Sequence, residues 1–169
     1  RMLAAGYGRI FQITKCYRGH ERGALHLPEF TLLEWYRAGC DYLRLMEECE
    51  DLLLYLSEAT GIGNRLPYRN CEIDLSKPWE RLSVKEAFDR YGSVPLESAL
   101  EQDRFEEVLA LEIEPRLGDS KPTLLYDYPL AFASLARISK DNPAFAERFE
   151  IYIGGLELAN GFSELTDAE

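Results

Sequence analysis

The chain has 169 residues, 46% hydrophobic and 29% charged, a composition that fits one globular domain and excludes a disordered chain. Its net charge of −11 argues against an indiscriminate binder of nucleic acid or anionic membrane, and its apolar runs are too short to span a bilayer. The segment Arg1–Gly6 lacks a long apolar stretch, and Cys16, Cys40, Cys49 and Cys71 form no CxxC pair, so a cytoplasmic protein with reduced, packed thiols is expected.

In chain order, Arg9–Tyr17 alternates with β-branched and aromatic residues and predicts a strand. Arg18–Pro28 predicts an exposed loop, and Glu29–Arg37 a second strand that closes a hairpin. Asp41–Thr60 has apolar residues at helical spacing, capped by Asp41 and ended by Gly61. Residues 66–75 look extended. A helix is expected from Ser83, where Glu86 completes a capping box. Glu101–Leu117 predicts a third helix, with a kink at Pro115, and Pro122–Tyr128 a strand. Arg148–Ile153 and Leu156–Leu165 are two strands around Gly154-Gly155, a two-residue hairpin turn. Hairpin, helices, hairpin implies an α+β fold, an antiparallel sheet flanked by helices.

The charge is uneven. Residues 1–27 hold Arg1, Arg9, Lys15, Arg18 and Arg22 against Glu21, or +4, and the remainder carries −15. The cluster reads either as a solvated basic strand and loop or as a local anion site. Strand parity puts Phe30, Leu32, Glu34 and Tyr36 on one face. Glu34 there is either solvated or faces a cationic ligand, because a carboxylate buried without a partner is costly. With Gly154-Gly155 as the turn, Tyr152 pairs with Glu157, and Glu150 lies diagonally on the same face. The two acids repel unless Arg148 bridges them or a cation such as Mg²⁺ sits between them. Asn160, Phe162 and Glu164 share a face, by strict parity the one opposite Glu157.

These residues resemble a known family. Cys16-Tyr17-Arg18 followed by His26-Leu27-Pro28-Glu29-Phe30-Thr31-Leu32-Leu33-Glu34-Trp35-Tyr36 is similar to motif 2 of the lysyl-type class II aminoacyl-tRNA synthetases. Arg148-Phe149-Glu150 and Gly154-Gly155-Leu156-Glu157-Leu158-Ala159-Asn160-Gly161-Phe162-Ser163-Glu164-Leu165 resemble their active-site hairpin, and Lys121-Pro122-Thr123 matches between them. Within that branch, Leu33-Glu34-Trp35-Tyr36-Arg37, Ala133-Ser134-Leu135-Ala136 and Glu157–Phe162 resemble the truncated paralogues that attach β-lysine to a lysine of elongation factor P. Ordinary lysyl-tRNA synthetases tend to carry glycine where Ala159 stands.

The resemblance implies a partial class II catalytic core that activates lysine or β-lysine with ATP. Residues 1–169 would be part of one domain: a motif 2 region at 9–37, a helical middle at 41–118 and a substrate and metal hairpin at 145–165. Arg18 would stabilise the α-phosphate as the catalytic residue, His26 would contact the outer phosphates, and Phe30 would stack on adenine. Either His20 or Glu21 would meet the adenine amino group, and the Leu158 carbonyl would lie along the nucleotide. Glu34, Tyr36 and Glu164 would receive the substrate's ammonium groups, with Ala159, Asn160 and Phe162 shaping that pocket. Glu150 and Glu157 would hold Mg²⁺.

Two positions depart from the pattern: His20 stands where an acid is common, and Leu27 where asparagine is usual. Because the family places Glu157 and Asn160 in one cavity, a bulge is expected at Leu158–Asn160. Motif 1, with its homodimer strand, and motif 3 are not found in the 169 residues, so the segment alone is expected to be inactive. The alternatives are a lysyl-tRNA synthetase core charging tRNA, and a non-catalytic binding or regulatory module. A basic protein surface suits the acidic body better than bare tRNA.

Overall fold

The computed structural model describes residues 1–19, 23, 26–69 and 71–166. Two compact units form, Arg1–Cys40 and Asp41–Glu169.

The first unit is a hairpin of β1 (Arg9–Tyr17) and β2 (Glu29–Arg37), with the expected strand limits and a short 3-10 turn at Leu3–Ala5. Its antiparallel register sets Cys16 opposite Phe30, Gln12 opposite Glu34 and Ile10 opposite Tyr36. The opposite face alternates as the pleat requires and presents Phe11, Ile13 and Tyr17, all well exposed.

The second unit opens with helix α1 (Tyr42–Ala59), where the Asp41 carboxylate accepts from the Arg44 backbone N–H at 3.0 Å. The extended stretch is a small hairpin, β3 (Arg65–Tyr68) with β4 (Cys71–Asp74). Helix α2 (Val84–Tyr91) begins with the expected capping box between Ser83 and Glu86.

The next region departs from expectation. In place of one helix over 101–117 there are two short helices, α3 (Leu96–Glu101) and α4 (Phe105–Val108). A π turn at Leu109–Ile113 and a 3-10 turn at Glu114–Arg116 follow. Asp103, at φ 54°, breaks the helical run. Burial outweighs regularity here: Phe105, Val108, Leu109, Ile113 and Leu117 all reach one core, together with Phe88, Leu125, Tyr128 and Tyr152.

A four-stranded sheet, ordered β5-β6-β7-β8, carries the rest: β5 (Glu80–Ser83), β6 (Thr123–Pro129), β7 (Phe145–Ile153) and β8 (Leu156–Phe162). Strand β5 was not foreseen. It pairs parallel with β6, Glu80 opposite Thr123, so the sheet is mixed rather than wholly antiparallel. Gly154 and Gly155 both have positive φ, 60° and 73°, as a primed hairpin turn needs. Gly118 latches that turn: the Gly154 N–H donates to its carbonyl at 2.9 Å, and the Gly155 N–H to Leu117 O at 2.8 Å. Of the four cysteines only Cys49 is buried, and burial pushes its thiol up to about 12. Among the described residues no helix is long and apolar enough to cross a membrane.

Candidate functional site

In the first unit, one face of the hairpin gathers Phe30, Glu34 and Tyr36, as the sequence parity requires. Glu34 is half-buried and has local donors: Gln12 Nε2 at 2.5 Å from one oxygen and the Tyr36 hydroxyl at 3.5 Å from the other. A hollow of about 400 Å³ opens beside this face, lined by Arg1, Met2, Leu3, Ile10 and Tyr36. The Arg18 guanidinium lies 5.2 Å from the centre of the Phe30 ring, and the Arg18 backbone N–H donates to Pro28 O at 2.9 Å. The guanidinium thus sits on the aromatic surface proposed for a purine. His26 and Leu27 are exposed. His20 and Glu21 lie outside the described residues.

The second unit holds the acidic hairpin. Tyr152 pairs with Glu157, and Glu150 with Asn160, while the register slips by one residue between Ile151 and Tyr152. Leu158 is the extra residue on β8, so the expected bulge is present. Its effect is to set Asn160 and Glu157 both on Glu150's side of the sheet, where the Asn160 side chain favours the charged form of the Glu157 carboxyl. Phe162, opposite Arg148, lies on the same side and packs against Ala133, Ala136 and Ala146. Ala159 pairs with Ile151 and faces the other way. Glu164 follows the strand, exposed, bridged to Ala136.

The two hairpin acids differ. Glu150 is 6% exposed, and its oxygens are taken. Oε1 accepts from Arg148 at 2.6 Å, and Oε2 accepts from Tyr128 and Tyr152, each at 2.6 Å. Arg148 thus pairs with Glu150, but no ion pair from it to Glu157 completes the bridge considered between the two acids. Arg148 is itself held by Phe132 O at 2.7 Å and by the Tyr128 ring, 4.3 Å away. Glu157 keeps an exposed side; crowding by protein raises its carboxyl, and Glu150 adds to the rise. Glu114, from the 3-10 turn, is raised by burial, and its carboxyl stands 3.1 Å from the Tyr152 hydroxyl.

No group of three His, Cys, Asp or Glu among the described residues would by itself hold a metal ion. The donor set fits Mg²⁺ in its other mode, with one or two carboxylates and the substrate's phosphates completing the shell. Burial raises the Glu157 carboxyl most, and a cation beside it would offset the part that Glu150 and Glu114 add.

Tyr128, Tyr152 and Glu114 were missed by sequence reasoning. Tyr128 reaches Glu150 only because β6 shifts register between Tyr126 and Tyr128, around Asp127 at φ 58°. No spacing rule signals that.

Known proteins supply the frame. The family model for class II tRNA synthetases (D, K and N) matches residues 1–169. The elongation factor P–(R)-β-lysine ligase of Photorhabdus laumondii is 43% identical over 99% of this chain and 53% of its own length. The ligase of the same name from Pectobacterium atrosepticum is 41% identical over 100% of this chain and 54% of its own. That of Enterobacter sp. strain 638 is 41% identical, over 99% and 53%. The chain thus spans about half the length of the curated relatives it matches. With motif-bearing hairpins in both units and a match along its whole length, the chain belongs to the class II tRNA synthetase family.

Proposed function

We propose that the intact protein is an ATP-dependent ligase that activates β-lysine and transfers it to a lysine of elongation factor P, as a cytoplasmic homodimer. The observation that carries this reading is the Leu158 bulge, which sets Glu157 and Asn160 on one face as the lysine-branch resemblance requires. Similarity to ligases of that name favours the protein acceptor over tRNA.

The chemistry would be positional and electrostatic, with no covalent enzyme intermediate. The substrate carboxylate attacks the α-phosphorus of ATP in line, and pyrophosphate leaves. Arg18 stabilises the charge that develops on the α-phosphate, as a planar guanidinium suits. His26 contacts the outer phosphates, and Phe30 exchanges its Arg18 stack for adenine. His20 or Glu21 meets the adenine amino group, and the Leu158 carbonyl lies along the nucleotide. Glu34, Tyr36 and Glu164 receive the ammonium groups, while Asn160 and Phe162 shape the pocket. Ala159, on the opposite face, would act on it only through the backbone of β8.

Bound Mg²⁺ supplies neutralisation of phosphate charge. The hairpin carboxylates would hold it, Glu157 as the open one and Glu150 beneath. The acceptor lysine's amine then attacks the adenylate's carbonyl carbon, and AMP departs.

The test is the mass of purified elongation factor P after incubation with the intact protein, ATP and (R)-β-lysine. One added β-lysyl group is expected. An unmodified factor alongside charged tRNA would point instead to a tRNA synthetase. Absence of ATP–pyrophosphate exchange with lysine or β-lysine would point to a binding module.

A further inference from the structure

The buried side of the active-site hairpin holds an arrangement that packing does not explain. Tyr128 and Tyr152 are 1% and 0% exposed and belong to the apolar core of the second unit. Phenylalanine would fill the same volume without a hydroxyl to satisfy. Both hydroxyls converge on one oxygen of Glu150, at 2.6 Å each, and Arg148 holds the other oxygen at 2.6 Å. Stability alone would be served as well by apolar residues, because removing a carboxylate and a guanidinium from water costs at least as much as their pairing returns. Three side chains from two strands are thus committed to one carboxylate directly beside Glu157 and Asn160.

We propose that Tyr128 and Tyr152 are positioning residues for the hairpin's cation site: their hydroxyls fix Glu150, and through it the place and orientation of the carboxylate pair Glu150 and Glu157. This rests on the ligase reading above for the cation's identity. Glu150 has χ freedom of its own, and losing either phenolic donor frees one lone pair of Oε2. The carboxylate then turns on the Arg148 contact. Glu114 completes the set, anchored to the same Tyr152 hydroxyl at 3.1 Å. Such outer contacts around a metal site typically contribute about 10–100-fold to metal affinity.

The test uses the intact protein and three readouts. Mn²⁺ binding is measured by electron paramagnetic resonance with a non-hydrolysable ATP analogue, Mg²⁺ dependence by ATP–pyrophosphate exchange, and folding by thermal denaturation. Tyr152→Phe and Tyr128→Phe are each expected to weaken Mn²⁺ binding about tenfold. They should raise the Mg²⁺ needed for half-maximal exchange by a similar factor while the maximal rate changes less. Unchanged Mn²⁺ affinity in both folded variants overturns the proposal, even if their melting temperatures fall. So does a parent protein that binds no Mn²⁺ with the analogue. Absence of exchange in a parent that still binds Mn²⁺ defeats the ligase reading alone, and the binding comparison then still decides the positioning role.

Discussion

Glu157 and Asn160 lie three residues apart on one strand yet point to the same side of it, because Leu158 is squeezed out of the ladder between them. In an unbroken strand their side chains would project from opposite faces. The Asn160 contact favours the charged form of Glu157 against the burial and the neighbouring acid that raise it. The charge of Arg148 works in the same direction, and replacing Asn160 by Ala leaves Arg148 to do so alone. The Glu157 carboxyl is therefore expected to titrate higher still, by carbon-13 NMR of the side-chain carboxyl. An unchanged or lower titration would mean that Asn160 does not act on Glu157 in solution.

Gly118 tests how the hairpin is held. Its φ is 76°, and an added Cβ would stand 2.4 Å from Tyr152 O and 2.7 Å from Ile153 Cα, both backbone atoms that cannot step aside. Gly118→Ala should destabilise the protein by about 2–4 kcal/mol, from the strained φ and the overpacking together. The urea midpoint checks this. A loss below about 0.5 kcal/mol would show that the latch between Gly118 and the turn yields freely.

Asp127 offers a pH test. It accepts from the Tyr42 hydroxyl at 2.7 Å, and burial raises its carboxyl, with Asp141 and Glu147 adding to the rise. A carboxyl raised in the folded state contributes stability that is complete below its unfolded pKa and lost as pH rises through the folded value. Asp127→Asn keeps the acceptor for Tyr42 and tolerates the φ of 58°, but it has no charge to bury. Relative to the parent, the variant should gain stability as pH rises from about 4 to about 8. Urea midpoints across that range measure it, and a difference independent of pH would refute it.

Phe30 is the flat surface under Arg18, 5.2 Å from its guanidinium. If adenine takes that surface, Phe30→Ala should weaken ATP binding about tenfold, since stacking of a base on an aromatic side chain is worth about 1–3 kcal/mol. Calorimetric titration of the intact protein with an ATP analogue reads this directly. Equal affinity in parent and variant would place the base elsewhere.

Local signals were legible wherever the deciding partner lies a few residues away. Asp41 caps the N–H of Arg44, Ser83 and Glu86 close a capping box, and Gly154-Gly155 turns a hairpin. Alternation alone put Phe30, Glu34 and Tyr36 on one face. The failures are those that distance predicts. Residues 101–117 have helical composition, but their apolar side chains are drawn to different parts of one core, and the run breaks into turns. Strand β5 is four residues long and takes its partner from Thr123–Tyr126, so no periodic pattern marks it.

By itself, then, the sequence determined the two hairpins, the starts of α1 and α2, the acids at 150 and 157 and, through its ordered motifs, the family. Parity and capping act within a turn or a strand, and kinship is read along the chain. The tertiary structure alone decided what those acids are. It buried Glu150 under Arg148, Tyr128 and Tyr152 and left Glu157 open beside Asn160. The reason is physical: a carboxylate's role depends on which donors surround it, and these arrive from different strands through irregularities at Asp127 and Leu158.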